Sequence, residues 1–143
     1  MTEQTFARAV PAERQAALAA LVLRVSMGAL FLAHGGIKLL VFTPAGTAGF
    51  FESIGVPGAL AWPVILAELA GGLALILGFQ TRLVALAFVP LMLGTIYTPH
   101  GAAGFLFSNP GGGWEFPAFW TVALVVQALL GDGALALDRR VGR

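Results

Sequence analysis

The sequence predicts an all-α integral membrane protein, a four-helix bundle with both termini in the cytoplasm. Hydrophobic residues make up 58% of the 143 positions and charged residues only 10%, whereas a soluble domain has about 45–50% and about 25%. The mean hydropathy of +0.88 agrees with this composition. The apolar residues also fall into four runs, and a helix crosses a bilayer with about 20 such residues. We therefore expect one membrane-embedded domain.

The four predicted spans cover about residues 16–42, 58–78, 83–97 and 117–130. Residues 1–15 form a predicted cytoplasmic arm, and residues 131–143 form a polar cytoplasmic tail. The first apolar run is longer than the roughly 7–15 residues of a signal-peptide core, so we expect it to stay as a helix. Pro90 stands in the middle of the third span, where it predicts a kink.

Two glycine-rich loops join the spans, at residues 43–57 and 98–116. The first is too short and too broken by glycine and proline to cross a membrane, and at most residues 49–54 make one interfacial turn. Residues 46–53 and 101–108 share Gly, Ala, Gly, Phe and Ser at the same places. This match is compatible with two helix–loop–helix repeats, and equally with a coincidence among common residues.

The basic residues predict the orientation of the spans. They lie in the arm, in the short link between the second and third spans and in the tail, and the two long loops contain no Lys or Arg. These residues are Arg8, Arg14, Arg82, Arg139, Arg140 and Arg143. Because loops rich in Lys and Arg stay on the cytoplasmic side, we expect both termini there and the long loops on the outer side.

Composition excludes several classes of function. The chain has no cysteine, so disulfides, thiolate metal sites, dithiol exchange and c-type haem attachment are excluded within it. It has no basic run with interleaved aromatic residues, so nucleic acid is not an expected partner. Membrane lipid is the expected surrounding, and partner subunits or a homo-oligomer remain open.

Four ionisable side chains lie inside the first two spans: Arg24, His34, Lys38 and Glu68. Charged groups in lipid are costly and usually face the bundle interior or a cavity. At 3.6 residues per turn, Arg24 and Lys38 share one face of the first helix, and His34 lies about 80° to its side. Glycines on this helix and on the second predict close packing between them: Gly28, Gly35, Gly71, Gly72 and Gly78.

We expect Glu68 to form a buried network with Arg24, His34 and Lys38. A rise of 1.5 Å per residue places Glu68 about 15 Å below the outer end of its helix, between the depths of His34 and Arg24. The network could be a structural pin between two helices, or it could bind a ligand or a proton, with Lys38 alternatively reaching the lipid interface. On the second interpretation all four side chains are ligand-binding candidates, and Glu68 and His34 are the best catalytic candidates.

A haem group is conceivable but not favoured. His34 and His100 are both expected in the outer half, where two imidazoles could ligate a haem iron. Two histidines of unknown separation, one of them in a loop, are a weak pattern, so no metal site is predicted.

Two patterns resemble signatures of the DoxX family of small bacterial membrane proteins. The first runs from Arg24 through Gly28, Phe31, His34 and Gly35 to Lys38; the second runs from Glu68 through Gly71, Gly72 and Gly78 to Thr81 and Arg82. The resemblance covers about residues 16–138. It implies a four-helix protein of the bacterial inner membrane, with a link to quinone-dependent redox chemistry or to defence against oxidative stress. The four ionisable residues of the first two spans stand at the positions where the family patterns have polar residues.

Two hypotheses of function follow. In the first, a quinone or lipid binds between the first two spans; His34 or Lys38 donates a hydrogen bond to it, and Glu68 orients them or passes a proton. In the second, the chain is a non-catalytic scaffold or assembly subunit of a larger membrane complex, because it has no complete catalytic constellation. A transporter is a third possibility, although four short helices would need oligomerisation to form a pathway.

Overall fold

The computed structural model describes residues 10–140 and 142. Most of the predicted arm, with Arg8, and part of the predicted tail, with Arg143, lie outside this range. Within it all regular secondary structure is helical, and there is no strand. Its α-helices are α1 (Ala12–Leu40), α2 (Thr43–Ser53), α3 (Ala61–Leu77), α4 (Thr81–Thr95), α5 (Glu115–Leu130) and α6 (Leu137–Arg140).

Three helical segments are long and apolar enough to cross a membrane. They are Ala12–Leu40, Gly58–Leu77 and Thr81–Ala103, the second and third of which add short helical turns to α3 and α4. The fourth apolar helix, α5, has 16 residues and rises about 24 Å, less than the roughly 30 Å of a hydrocarbon core. The prediction of an all-helical fold is confirmed for the described residues, and three of the four predicted spans fall on segments long and apolar enough to cross a membrane.

The helices pack mainly as two pairs. α1 lies most extensively against α3, and α4 against α5, while smaller contacts join α1 to α5 and α3 to α4. Aromatic rings fill the space between the pairs: Phe31 of α1 stacks on Phe88 of α4 at 3.8 Å, and Trp120 of α5 lies 4.8 Å from Phe31. All three side chains are buried. This core joins the two pairs into one body.

Glycines set the distance between α1 and α3. A Cβ added to Gly28 would lie 2.6 Å from the carbonyl oxygen of Gly72, and a Cβ on Gly72 would lie 2.8 Å from that of Gly28. Real side chains cannot approach so closely, and glycine allows two helix backbones to touch. Gly28 and Gly72 therefore mark the crossing point of the two helices.

The first long loop is largely helical, contrary to expectation. Residues 43–53 form α2, although glycine and proline predicted a broken segment. Pro44 stands in the first turn, where its missing N–H costs no hydrogen bond. The hydroxyl of Thr43 accepts a hydrogen bond from the backbone N–H of Gly46 at 3.2 Å, as a helix-capping residue does.

The two segments that match in sequence differ in conformation. Residues 46–53 are helical, whereas residues 101–108 begin with the short helical turn Gly101–Ala103 and continue without helix. The backbone of the second segment pairs instead with the start of α5: the N–H groups of Trp114 and Glu115 donate to the carbonyls of Gly104 and Phe105. Similar residues therefore adopt different local structures.

We name the two ends of the molecule for what lies there. The turn end contains residues 78–80, which join α3 to α4, and the segment 131–138, which follows α5. The loop end contains α2 and residues 101–114. At the turn end, the N–H of Ala134 donates to the carbonyl of Ala17 at 2.9 Å, and Ala136 and Asp138 are buried. Much of the predicted polar tail is thus folded against the helices.

Candidate functional site

Lys38 and Glu68 form an ion pair between α1 and α3. The ammonium Nζ of Lys38 donates to both carboxylate oxygens of Glu68, at 2.7 and 2.8 Å. The Glu68 side chain is 7% exposed and that of Lys38 is 19% exposed. The two opposite charges are therefore paired in a largely buried setting, and such pairing lowers the cost of placing a charge inside a membrane.

A glycine brings the two charged residues within reach. A Cβ on Gly35 would lie 3.1 Å from the Cβ of Glu68 and 3.0 Å from Leu69 Cγ, so the missing side chain lets α3 approach α1 at this level. Lys38 stands about one turn further along α1. Because helix side chains lean toward the N-terminus, the Lys38 side chain extends back toward Glu68.

The short helix α2 adjoins the ion pair at the loop end. It contacts both α1 and α3, and the hydroxyl of its buried Thr47 donates to the carbonyl of Lys38 at 3.2 Å. The last carbonyls of a helix have no partner within the helix, and Thr47 supplies one. α2 is thereby tied to the residue that carries the ammonium.

Arg24 does not join Glu68. Its guanidinium Nη1 donates to the carbonyls of Leu75, at 2.9 Å, and of Ile76, and Nη2 donates to the carbonyl of Ala134 at 2.8 Å. The residue is 1% exposed. The expectation of a single network is therefore wrong for Arg24, which binds the turn end instead of the acid.

The position of Arg24 follows from the way α3 ends. Gly78 adopts the left-handed conformation, with φ of 71°, which commonly ends a helix. The carbonyls of the last turn then need donors, and a cation near a helix C-terminus is favoured by the helix dipole. The five N–H donors of a guanidinium serve several carbonyls at once, so Arg24 closes this helix end and holds the segment after α5.

His34 lies apart from the ion pair, on the side of α1 that faces α5. Its imidazole meets the indole of Trp120 edge to face, with centroids 5.4 Å apart and planes at 70°. His34 is exposed and has no hydrogen-bond partner among the described residues. It is thus an imidazole at the surface of the bundle, beside an aromatic wall that Phe116 continues at 5.5 Å from Trp120.

His100 belongs to the loop end. Its Nδ1 lies 2.6 Å from the carbonyl of Gly112 and 3.2 Å from that of Gly111, so this nitrogen donates to the loop backbone. The two histidines have different neighbours. Within the described residues, no group of three or more His, Cys, Asp or Glu side chains could hold a metal ion.

The five predicted packing glycines all lie at close approaches. Beyond Gly28, Gly35 and Gly72, a Cβ on Gly71 would meet the ring of Phe88, and one on Gly78 would lie 2.7 Å from Ala136 and 2.9 Å from the guanidinium carbon of Arg24. α3 therefore uses its glycines toward three neighbours: α1, α4 and the segment 131–138.

An apolar groove of about 420 Å³ runs between α3 and α4. All of its lining residues are apolar: Pro63, Val64, Ala67, Gly71, Leu83, Val84, Ala87, Phe88 and Leu91. Its side chains offer no hydrogen-bond donor to a polar ligand, whereas the imidazole of His34 does.

Sequence reasoning missed Trp120, Thr47 and Asp138. Asp138 is buried, and its Oδ2 accepts from the N–H of Gln80 at 2.8 Å. A polar residue in a polar tail gives no sign of burial, and Thr47 lay in a segment taken for a loop. Trp120 had a signal, since a large aromatic residue with a polar N–H in an apolar run usually packs inside and needs a partner.

The chain is similar to several curated proteins over most of its length. It is 36% identical to "Putative oxidoreductase CatD" of Bacillus subtilis, over 82% of this chain and 83% of that protein. It is 34% identical to the inner membrane protein YqjF of Escherichia coli, over 86% and 92%, and 28% identical to the inner membrane protein YphA of the same organism, over 84% and 88%. No solved structure matches the chain.

The family model described as DoxX matches residues 19–101. The match contains both glycine-bearing patterns, the ion pair and Arg24, but not the segment 131–138. Together with the similarity to CatD and YqjF, both above 30% identity, it establishes what the residue patterns indicated: the chain belongs to the DoxX family of membrane proteins.

Proposed function

We propose that this protein is a quinone-binding subunit of a membrane redox system, and that His34 donates the hydrogen bond that holds a quinone carbonyl. One observation carries the proposal. Of the four ionisable side chains deep in the first two spans, Arg24, Lys38 and Glu68 are held by other described residues, and His34 is not. The name of one relative, "Putative oxidoreductase CatD", supports the redox assignment.

The surroundings of His34 fit a quinone. An imidazole N–H donates to a carbonyl oxygen, and the rings of Trp120 and Phe116 give an apolar, aromatic neighbourhood for a planar head group. The site opens sideways, because His34 is exposed, so a molecule dissolved in the bilayer can reach it. A bound quinone supplies the redox chemistry, and the chain supplies the donor and the aromatic wall.

The Lys38–Glu68 pair acts in this proposal as a fixed strut beside the site. Two bonds from the Lys38 ammonium already go to Glu68, which leaves one of its three N–H groups for another acceptor. Holding α1 against α3 fixes the helix that carries His34. Lys38 and Glu68 are therefore positioning residues here, and a direct role in proton transfer is secondary.

The proposal is tested by quinone binding to the protein in lipid nanodiscs. We expect a short-chain ubiquinone analogue to bind and His34→Leu to weaken binding about tenfold, since a hydrogen bond contributes about 1–1.5 kcal/mol. His100→Gln is the matched control, because His100 donates to the loop. Equal affinity in His34→Leu and the unaltered protein would refute the role of His34.

Extraction of bound molecules separates two sources of the same carbonyl chemistry. The ester group of a lipid also presents a carbonyl oxygen that can accept a hydrogen bond from His34. Mass spectrometry of the purified protein is expected to find a quinone in stoichiometric amount, reduced in His34→Leu. A stoichiometric phospholipid with no quinone would make the site a lipid site.

A scaffold function is the second candidate, and the closed contacts of Arg24, Lys38 and Glu68 favour it. These side chains hold helices together and leave few groups for chemistry. A scaffold predicts co-purification of a stable membrane partner that is retained in His34→Leu. Quinone binding without such a partner would count against it.

We also propose that the protein lies in the inner membrane, as relatives named inner membrane proteins suggest. The pairing of α1 with α3 and of α4 with α5 supports a further proposal, that the two pairs descend from a repeated unit.

We propose in addition that both termini face the cytoplasm, because the two long loops contain no Lys or Arg. Because the chain has no cysteine, Ser108→Cys and Gly142→Cys each introduce a unique thiol. A membrane-impermeant thiol reagent added to intact cells should label only the cysteine at position 108. Labelling at position 142 instead would show that the termini face outward.

A further inference from the structure

We infer that the turn end contains an internal water site formed by Arg24, Thr81 and Asp138 and closed by the segment 131–138. All three residues are buried, with exposures of 1%, 0% and 5%. Each has one side-chain atom without a hydrogen-bond partner among the described residues: Nε of Arg24, Oγ1 of Thr81 and Oδ1 of Asp138. Buried polar atoms are rarely left unpaired in proteins, and ordered water is a common partner.

The three side chains surround one short stretch of backbone. The guanidinium carbon of Arg24 lies 2.9 Å from the place a Cβ on Gly78 would occupy. The N–H of Asp138 donates to the carbonyl of Gly78 at 3.3 Å, and its Oδ2 accepts from the N–H of Gln80 at 2.8 Å. Thr81 is the next residue, so all three groups lie around residues 78–81.

The chemistry of the three atoms selects water as the occupant. Arg24 Nε is a donor, Asp138 Oδ1 is an acceptor, and the Thr81 hydroxyl can be either. The guanidinium charge opposes a bound cation, and the carboxylate charge opposes a bound anion. Water is neutral and both donates and accepts, and it typically makes about three hydrogen bonds in such places.

The segment 131–138 seals the site. The N–H of Ala134 donates to the carbonyl of Ala17 at 2.9 Å, and a Cβ on Gly133 would lie 2.7 Å from that of Ala20, so the segment lies directly on α1. The carbonyl of Ala134 also accepts from Arg24. Because this segment covers the buried atoms, we expect a bound water to exchange slowly with bulk water.

Nuclear magnetic resonance of the full chain in nanodiscs tests the inference. The Nε–H of Arg24 is expected to exchange slowly and to show a nuclear Overhauser effect to water, as a donor to a trapped molecule does. Arg82 is exposed, and its Nε–H is the control, expected to exchange rapidly. An Arg24 Nε–H that shows effects only to protein protons would overturn the inference.

A pair of threonine variants tests the composition of the site. Thr81→Val removes the unpaired hydroxyl at nearly constant shape, and we expect it to reduce the water effect at Arg24 by at least half. Thr121→Val is the control, since the Thr121 hydroxyl donates to the carbonyl of Pro117 within α5 and should leave that effect unchanged. Equal effects in Thr81→Val and the unaltered protein would remove Thr81 from the site.

Discussion

Arg24 and Glu68 show how far the partner of a buried ionisable residue can be predicted from sequence. Both are ionisable groups in apolar spans, so each was expected to have a partner. For Glu68 the partner was among the predicted candidates, because Lys38 is the cation whose depth and face suit it. Arg24 is held instead by backbone carbonyls of Leu75, Ile76 and Ala134. Every residue has a carbonyl, so no residue type in the sequence marks these acceptors.

The ion pair predicts an asymmetry between single and double variants. Lys38→Met leaves the Glu68 carboxylate buried without its cation, and we expect the free energy of unfolding to fall by about 2–4 kcal/mol. The double variant Lys38→Met/Glu68→Met removes both charges and should recover most of that loss. The measurement is reversible unfolding in mixed detergent micelles.

The same variants separate a strut from a reactive acid. As a strut, the pair can be replaced by the two methionines with quinone binding retained in the folded fraction. A double variant that is stable but no longer binds quinone would show that the charges act on the ligand. A double variant no more stable than Lys38→Met would contradict the asymmetry itself.

At the scale of elements, the sequence does not distinguish a glycine that lets two helices pack closely from a glycine that interrupts a helix. Gly28 of α1 and Gly72 of α3 lie at a helix crossing, where close packing between the two helices was expected. Gly46 stood in a segment that was expected to be broken by glycine and proline, yet it lies in α2. The difference comes from tertiary contacts: α2 is stabilised by Thr47 and by packing on α1 and α3, which outweighs a weak local propensity.

Two glycines of α1 provide a matched test of helix packing. Gly28→Ala places a Cβ 2.6 Å from the Gly72 carbonyl oxygen, whereas a Cβ on Gly36 has nothing within 4 Å. We expect Gly28→Ala to lower the free energy of unfolding by about 1–3 kcal/mol through overpacking. Gly36→Ala should be neutral or raise it by up to about 1 kcal/mol, since alanine favours helix.

The measurement is unfolding of both variants in the same detergent. Both variants replace a glycine of α1 by alanine, so the difference between their free energies of unfolding reports the contact of Gly28 with α3. Equal stabilities would mean that α1 and α3 do not touch at Gly28, and the crossing point would be wrong.

At the scale of the whole molecule, composition predicted the class of fold, and it did so because a membrane imposes one rule on every span: its backbone must bond internally. Composition did not predict which helices pair or how the ends close. Residues 131–138 read as a polar tail, yet Ala136 and Asp138 are buried. Their burial depends on a cleft between α1 and residues 78–80 that exists only once the helices have packed.

The closed turn end predicts that the C-terminal segment is part of the folded unit. Deleting residues 131–143 removes the Ala134 carbonyl from Arg24 and the Asp138 carboxylate from Gln80, and it exposes a guanidinium that is otherwise buried. With net hydrogen bonds worth about 1–2 kcal/mol each, we expect the free energy of unfolding to fall by about 2–4 kcal/mol and backbone exchange at residues 78–81 to quicken. Deleting residues 141–143 leaves those contacts in place and is the control. If the longer deletion matches the shorter one in stability and exchange, the segment is an appendage and Arg24 is held by α3 alone.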